Sequence, residues 1–207
     1  MTTLYYAPGA CSIGIHFLLE RLGLPYERRK VDIRSGENRE PWFIALNPKA
    51  KVPTLQRDDG SVLTEFPVIA QHLAGMAPEK GMLPSDPELL LRAAELTDYL
   101  VATLHMQGFS RIFRPMKFAA DPAGHAAVQE QGKAIVGEGL LVVERSLMPG
   151  GVLASTPSFA DAALFYVLFW ATDRVGMPVP AHCAERYAAL KATAAARRVF
   201  EVEGIGK

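Results

Sequence analysis

The sequence predicts a two-part fold, a small α/β domain followed by an all-helical one. Three observations predict it. Strand and helix patterns alternate through the first third of the 207 residues; no convincing strand follows residue 88; and Pro78, Gly81, Pro84 and Pro87 crowd the stretch between them. A chain of this length accommodates two small domains. The expected boundaries are 1–77 for the α/β domain, 78–87 for the linker and 88–207 for the helical domain.

Each element has its own warrant. Thr3 to Tyr6 is short, apolar and β-rich, and Ala7-Pro8-Gly9 turns the chain. Ile13, Phe17, Leu18, Arg21 and Leu22 recur at helical spacing, with Gly23 as the stop and Pro25 just beyond. Tyr26 to Ile33 reads as a second strand, and Glu37 to Leu46 as a weaker helix closed by Asn47-Pro48. Thr54 to Gln56 and Val62 to Thr64 flank Asp59-Gly60, a hairpin signal. Val68, Ile69, His72 and Leu73 mark a third helix, so the order is βαβαββα. Beyond the linker, Leu89 to Phe118 reads as one long helix interrupted near Gly108 and Pro115. Ala123 to Leu147, Ser158 to Val175 and Ala184 to Phe200 complete the helical set. Ser158 and Asp161 have the spacing of a capping box, a folding signal.

Composition excludes several functions. Lys+Arg and Asp+Glu both number 22, which argues against nucleic acid as a partner. The longest apolar run, Ala162 to Ala171, is too short to span a bilayer. The first residues lack the charged start and sustained apolar stretch of a signal peptide. Two cysteines, Cys11 and Cys183, cannot build a disulfide framework, and a reducing cytoplasm is the expected location. His16, His72, His105, His125 and His182 show no metal-ligand spacing, and no Gly-rich phosphate loop is present.

The chemistry is carried by a few positions. Cys11 follows a strand and a turn at the start of the first helix, where unpaired N–H groups and the helix dipole favour a thiolate. A dithiol oxidoreductase needs a second cysteine three residues on, and that place is Gly14, so any thiol exchange must use an external thiol. Val52-Pro53 precedes a strand. A cis bond there would turn the N–H and C=O of Val52 outward for a peptide-like ligand, but sequence leaves the isomer open. Glu65, before the third helix, could accept an ammonium group beside amides that suit a carboxylate.

In this order and spacing the motifs resemble the cytosolic glutathione transferases, and most of all their bacterial beta class. The resemblance rests on Leu4 to Ser12, on Asn47-Pro48-Lys49-Ala50-Lys51-Val52-Pro53-Thr54-Leu55 with Asp59-Gly60 and Leu63-Thr64-Glu65, and on Ser158 to Asp161. It implies a thioredoxin-like first domain, a homodimer and glutathione as cosubstrate, with no metal. It further implies a cis Val52-Pro53 bond and a pairing of Val52 with the cysteinyl backbone of glutathione. Glu65 would receive the γ-glutamyl ammonium and the Phe66 amide the adjacent carboxylate. Ala10, Cys11, Lys51, Pro53 and His105 complete the expected glutathione contacts.

Three departures bear on that expectation. Phe66 replaces a usual serine, Gly36 stands where a lysine is common, and Met106 where another often follows the helical histidine. Lys51, Arg34 and Arg111 are candidates to compensate.

The expected activity is transfer of an alkyl or aryl group from a small hydrophobic electrophile to the glutathione sulfur. Cys11, Ser12, Tyr5 and His105 are the catalytic candidates, and Tyr5, Phe109, Ile112, Phe113 and Trp170 the electrophile candidates, in an apolar cleft. Two alternatives stand beside it. One is a thiol reductase, reductive dehalogenase or ether-cleaving enzyme using Cys11 covalently; the other is a non-catalytic binding or regulatory protein of the same fold.

Overall fold

The computed structural model describes residues 1–151 and 156–206. They divide into two compact units, Met1–Leu83 with Leu190–Lys207, and Pro84–Ala189. The first unit is built on four strands, β1 (Thr3–Tyr6), β2 (Glu27–Lys30), β3 (Thr54–Gln56) and β4 (Val62–Thr64), in the order β2-β1-β3-β4. β1 runs parallel to β2, and antiparallel pairing joins β1 to β3 and β3 to β4. Three helices, α1 (Ser12–Leu22), α2 (Pro41–Leu46) and α3 (Phe66–Met76), complete the expected order.

Alternation along β1 assigns its two tyrosines to opposite faces. Tyr5 meets Trp42 and Phe43 of α2, whereas Tyr6 meets His16 of α1, with ring centroids 5.4 Å apart in that pair. The hairpin forms at the Asp-Gly signal: Gln56 faces Val62, and Gly60 takes φ 81°, a left-handed value that glycine adopts without strain. β2 is shorter than Tyr26 to Ile33, because only four residues pair and all four are exposed on the sheet edge. Val31, just beyond, is already buried with Tyr5 and Phe43. The weak helix expected from Glu37 divides at Pro41 into a single 3-10 turn and α2.

The last helix, α9 (Ala194–Glu203), belongs to the first unit and packs on α1. The sequence groups it with the helical half, since its stripe of Ala196, Val199 and Glu203 shows that a face is buried but not against what.

The second unit is helical. α4 (Pro87–Asp98) begins with Asp86 accepting from the Leu89 amide and Pro87 in the first turn. The helix does not break at Gly108. It widens into π-type winding over Tyr99–Phe109, continues as α5 (Ser110–Phe113) and stops before Pro115. α6 (His125–Leu147) packs along that segment. Gly139 permits the approach: a Cβ there would lie 2.6 Å from a Leu104 methyl.

α7 (Ala160–Phe169) is buried on every side and passes into a second π-type segment, Trp170–Val175. The capping box at its start is only partly as expected. Asp161 accepts from the Ser158 amide, but the Ser158 hydroxyl accepts from Ala160 rather than from Asp161. α8 (Ala181–Lys191) follows.

Candidate active site

In the first unit, the turn between β1 and α1 places Cys11 at the N-cap of α1, partly exposed. No side chain caps this helix and no acidic residue lies in its first turn, so the positive end of the helix faces Cys11 without a capping carboxylate. The Cys11 thiol donates to the Val52 carbonyl at 3.4 Å. Ser12, the rival candidate, is fully buried. Its hydroxyl accepts from the Ala7 amide at 3.1 Å and donates to the Ala7 carbonyl at 3.2 Å, so it ties down the turn. Ala10 contributes backbone: its carbonyl accepts from Ile13.

The Val52-Pro53 bond is cis. The loop that leads to it is organised by Asn47, which the sequence reading places in the motif without assigning it a role. Asn47 is 1% exposed; its side-chain amide donates to the Lys51 carbonyl and to the Thr54 hydroxyl, and its oxygen accepts from the Lys49 amide. Asn38 adds a bond to the Ala50 carbonyl, where Ala50 takes φ 54°. An Asn in a tight turn is the signal that could have marked this role. The Lys51 side chain is exposed.

Glu65 stands between β4 and α3 with φ 70°, a left-handed backbone that a non-glycine residue holds only under constraint. The Lys49 ammonium reaches the Glu65 carboxylate at 2.8 Å and the Thr64 hydroxyl at 2.7 Å. Phe66 is the first residue of α3 and its side chain is buried, so at this position the chain adds to the core. Gly36 takes φ 88°, which a lysine would adopt only with strain, and Met106 is 41% exposed. Tyr5 is buried with Phe43 and its hydroxyl donates to Gln56 at 3.1 Å.

In the second unit, His105, Phe109, Phe113 and Trp170 gather in one aromatic cluster. His105 meets the Trp170 ring edge-on at 4.8 Å, and its Nδ1 lies 3.4 Å from the hydroxyl of Tyr166, a residue not among the sequence candidates. Phe109 stacks on Phe113 at 5.7 Å, and both meet Trp170. Phe109, Ile112 and Trp170 are buried, whereas Phe113 is 40% exposed. Among the described residues no group of three or more His, Cys, Asp or Glu side chains could hold a metal ion, and no helix is long and apolar enough to cross a membrane.

The chain is similar to known proteins in sequence and fold. Residues 9–75 match the glutathione S-transferase N-terminal domain model. The chain is 34% identical over 173 residues to glutathione S-transferase GstA of Escherichia coli O157:H7, covering 81% of each. It is 31% identical over 186 residues to the maleylacetoacetate isomerase of Pseudomonas aeruginosa, covering 85% of this chain and 83% of that protein. A glutathione transferase homologue from Sulfitobacter, solved with bound glutathione, superposes with a TM-score of 0.88 at 28% identity, over 99% of both chains. A bacterial beta-class glutathione S-transferase from Sphingomonas chungbukensis superposes at 0.83 and 25% identity, over 98% of this chain and 99% of that one. With its thioredoxin-like sheet and helical second part, this chain belongs to the glutathione transferase superfamily.

Proposed function

We propose that the protein is a glutathione S-transferase that binds glutathione in its first unit and transfers an alkyl or aryl group from a small hydrophobic electrophile to the glutathione sulfur. The observation that carries this reading is the placement of Cys11 at the uncapped start of α1, its thiol 3.4 Å from the Val52 carbonyl. A peptide that pairs with the backbone of Val52 as an added strand brings its own cysteinyl sulfur to that helix terminus. There the dipole and the Cys11 S–H stabilise a thiolate over a thiol, which raises the fraction of reactive nucleophile. The Glu65 carboxylate receives the γ-glutamyl ammonium, sharing it with Lys49, and the Phe66 amide holds the neighbouring carboxylate. Lys51, Pro53, Ala10 and His105 remain part of the proposed glutathione contacts.

In the reaction the thiolate attacks the electrophilic carbon, a carbon–sulfur bond forms, and the leaving group departs with the electron pair of the broken bond. Stabilising the thiolate is the catalytic lever. Tyr5, Phe109, Ile112, Phe113 and Trp170 are proposed for the electrophile, and Phe113 is the member with most exposed surface. Ser12 acts through the turn it fixes. A homodimer pairing the first domain of one protomer with the second of its partner, in the cytoplasm, belongs to the same reading. Light scattering on the purified protein tests the dimer.

The outward placement of Cys11, with Ser12 held by Ala7, favours one further reading. The Cys11 thiolate attacks the glutathionyl sulfur of a mixed disulfide, releases the other thiol and becomes a glutathionyl-cysteine. A glutathione thiolate then attacks that sulfur, yielding glutathione disulfide and restoring Cys11. Replacing Cys11 with Ala separates the two: loss of disulfide reduction with conjugation of 1-chloro-2,4-dinitrobenzene intact assigns covalent chemistry at Cys11 to disulfide reduction alone. Calorimetry that detects no glutathione binding at millimolar concentration would sink both readings and favour a non-catalytic role.

A further inference from the structure

We propose that Glu203, at the end of α9, is a positioning residue for Cys11. Its carboxylate joins the two pieces of backbone between which the thiol is held. One oxygen accepts from the Gly9 amide at 2.8 Å, and the other lies 2.7 Å from Nδ1 of His16 on α1. The side chains of Glu203 and His16 are both 0% exposed. A carboxylate this buried is costly unless its oxygens are satisfied, and here each has a donor. If Glu203 served only to dock α9, an apolar residue of similar volume would pack there at least as well. The polar choice makes sense for its acceptors, and what they hold is the turn before Cys11.

The geometry of that turn shows why. Ser12 and His16 are one helical turn apart on α1, so they share a face. Ser12 ties Ala7 through both its amide and its carbonyl, and His16 ties Gly9 through Glu203. The chain between β1 and α1 is thus fixed at two points, and Cys11 begins two residues past the second. Gly9 holds φ 68°, a backbone conformation that glycine adopts without strain. If Gly9 is released, Cys11 shifts against the Val52 carbonyl. His16 is held in turn: its Nε2 is buried with no hydrogen-bond partner, between the rings of Tyr6 at 5.4 Å and Tyr26 at 5.8 Å. The tautomer that suits this pocket carries the proton on Nδ1, donating to Glu203.

The proposal rests on the reading that Cys11 is the reacting thiol, but its test does not depend on glutathione chemistry. The full chain is prepared with Glu203→Leu, Glu203→Asp and Glu203→Gln. Three quantities are measured: the iodoacetamide alkylation rate of Cys11, mapped by mass spectrometry between pH 6 and 9; kcat and the KM for glutathione; and Tm. Glu203→Leu is expected to change the Cys11 alkylation rate and kcat at least tenfold per folded molecule. Glu203→Asp, too short to reach both partners, is expected to fall between Leu and wild type. Glu203→Gln, which can still accept from Gly9, is expected to return both quantities to within about threefold. If the Leu variant does not fold, the Asp variant decides. Unchanged alkylation and kcat in the folded variants, with only Tm lowered, would overturn the proposal and reduce Glu203 to a helix anchor. If the wild type shows no glutathione-dependent turnover, the functional reading fails while the alkylation rates still judge Glu203.

Discussion

Both cysteines of this protein lie at the start of a helix, and they contrast in what occupies the helix end. At α1, Cys11 is itself the N-cap, partly exposed, with no capping side chain and its thiol on the Val52 carbonyl. At α8, Glu144 reaches in from α6 and accepts from the amides of His182 and Cys183, while the His182 ring lies 2.7 Å from the same carboxylate. The anion that the second helix terminus attracts is built in. Burial, and then the hydrogen bond to Glu144 and its charge, push the Cys183 thiol up to about 12. In the proposed reading, a helix N-terminus activates a cysteine only where the protein leaves the site to the thiol or its ligand. Where a carboxylate fills it, the same dipole goes into stability and the thiol stays inert.

The largest expected effect comes from labelling the native protein. At pH 8 a thiol at about 12 is ionised in on the order of one molecule in ten thousand, and Cys183 is 0% exposed. Cys11 should therefore react with iodoacetamide at least a thousandfold faster than Cys183, as read by peptide mass spectrometry. Comparable rates would erase the contrast.

The next effect sharpens the role of the first unit. Glu65→Gln removes the carboxylate proposed for the ligand ammonium, and glutathione affinity should fall by about 1.5–3 kcal/mol, a loss of roughly 10- to 150-fold by calorimetry. Glu65 is half-exposed and paired with Lys49, so Tm should hardly move. A stable variant with unchanged affinity would remove Glu65 from the site.

A smaller effect belongs to the helical unit. Gly139→Ala forces a methyl to 2.6 Å from Leu104 and should cost about 1–3 kcal/mol by urea unfolding, leaving Cys11 labelling as in the wild type.

The smallest effect tests the filled helix end directly. Partial burial raises the Glu144 carboxyl, but the bonds from His182 and Cys183 outweigh it and hold it below its ordinary value of 4.5. A lowered folded-state value means that this stability is complete above the ordinary carboxylate range and drains away as pH falls through and below it. Glu144→Gln should thus be less stable than wild type by about 1 kcal/mol at pH 7, and the gap should narrow towards pH 4. Urea midpoints across that range would show it, and a constant gap would contradict it.

Local signals made much of this legible. The βαβαββα order, the Asp59-Gly60 turn and the position of Cys11 at the first helix all follow from residues near one another in the chain. Glu65 before α3 follows in the same way. What stayed hidden depends on distance or on neighbours. The bond from Glu203 to Gly9 joins residues 194 positions apart, and no periodicity announces it. The stripe on α9 could not name α1 as its partner. The claim of Lys49 on Glu65 needs the loop that Asn47 folds. The π-type winding over Tyr99–Phe109 leaves an ordinary helical pattern in the sequence, so a break at Gly108 was expected where the helix in fact packs against α6.

The central claim is that the thiol at the start of α1 meets glutathione. Incubating the native protein with glutathione disulfide and mapping adducts by mass spectrometry tests it most directly. One glutathionyl group on the peptide that holds Cys11, and none on the peptide that holds Cys183, is the predicted result. Unmodified protein, or an adduct on Cys183, would contradict it.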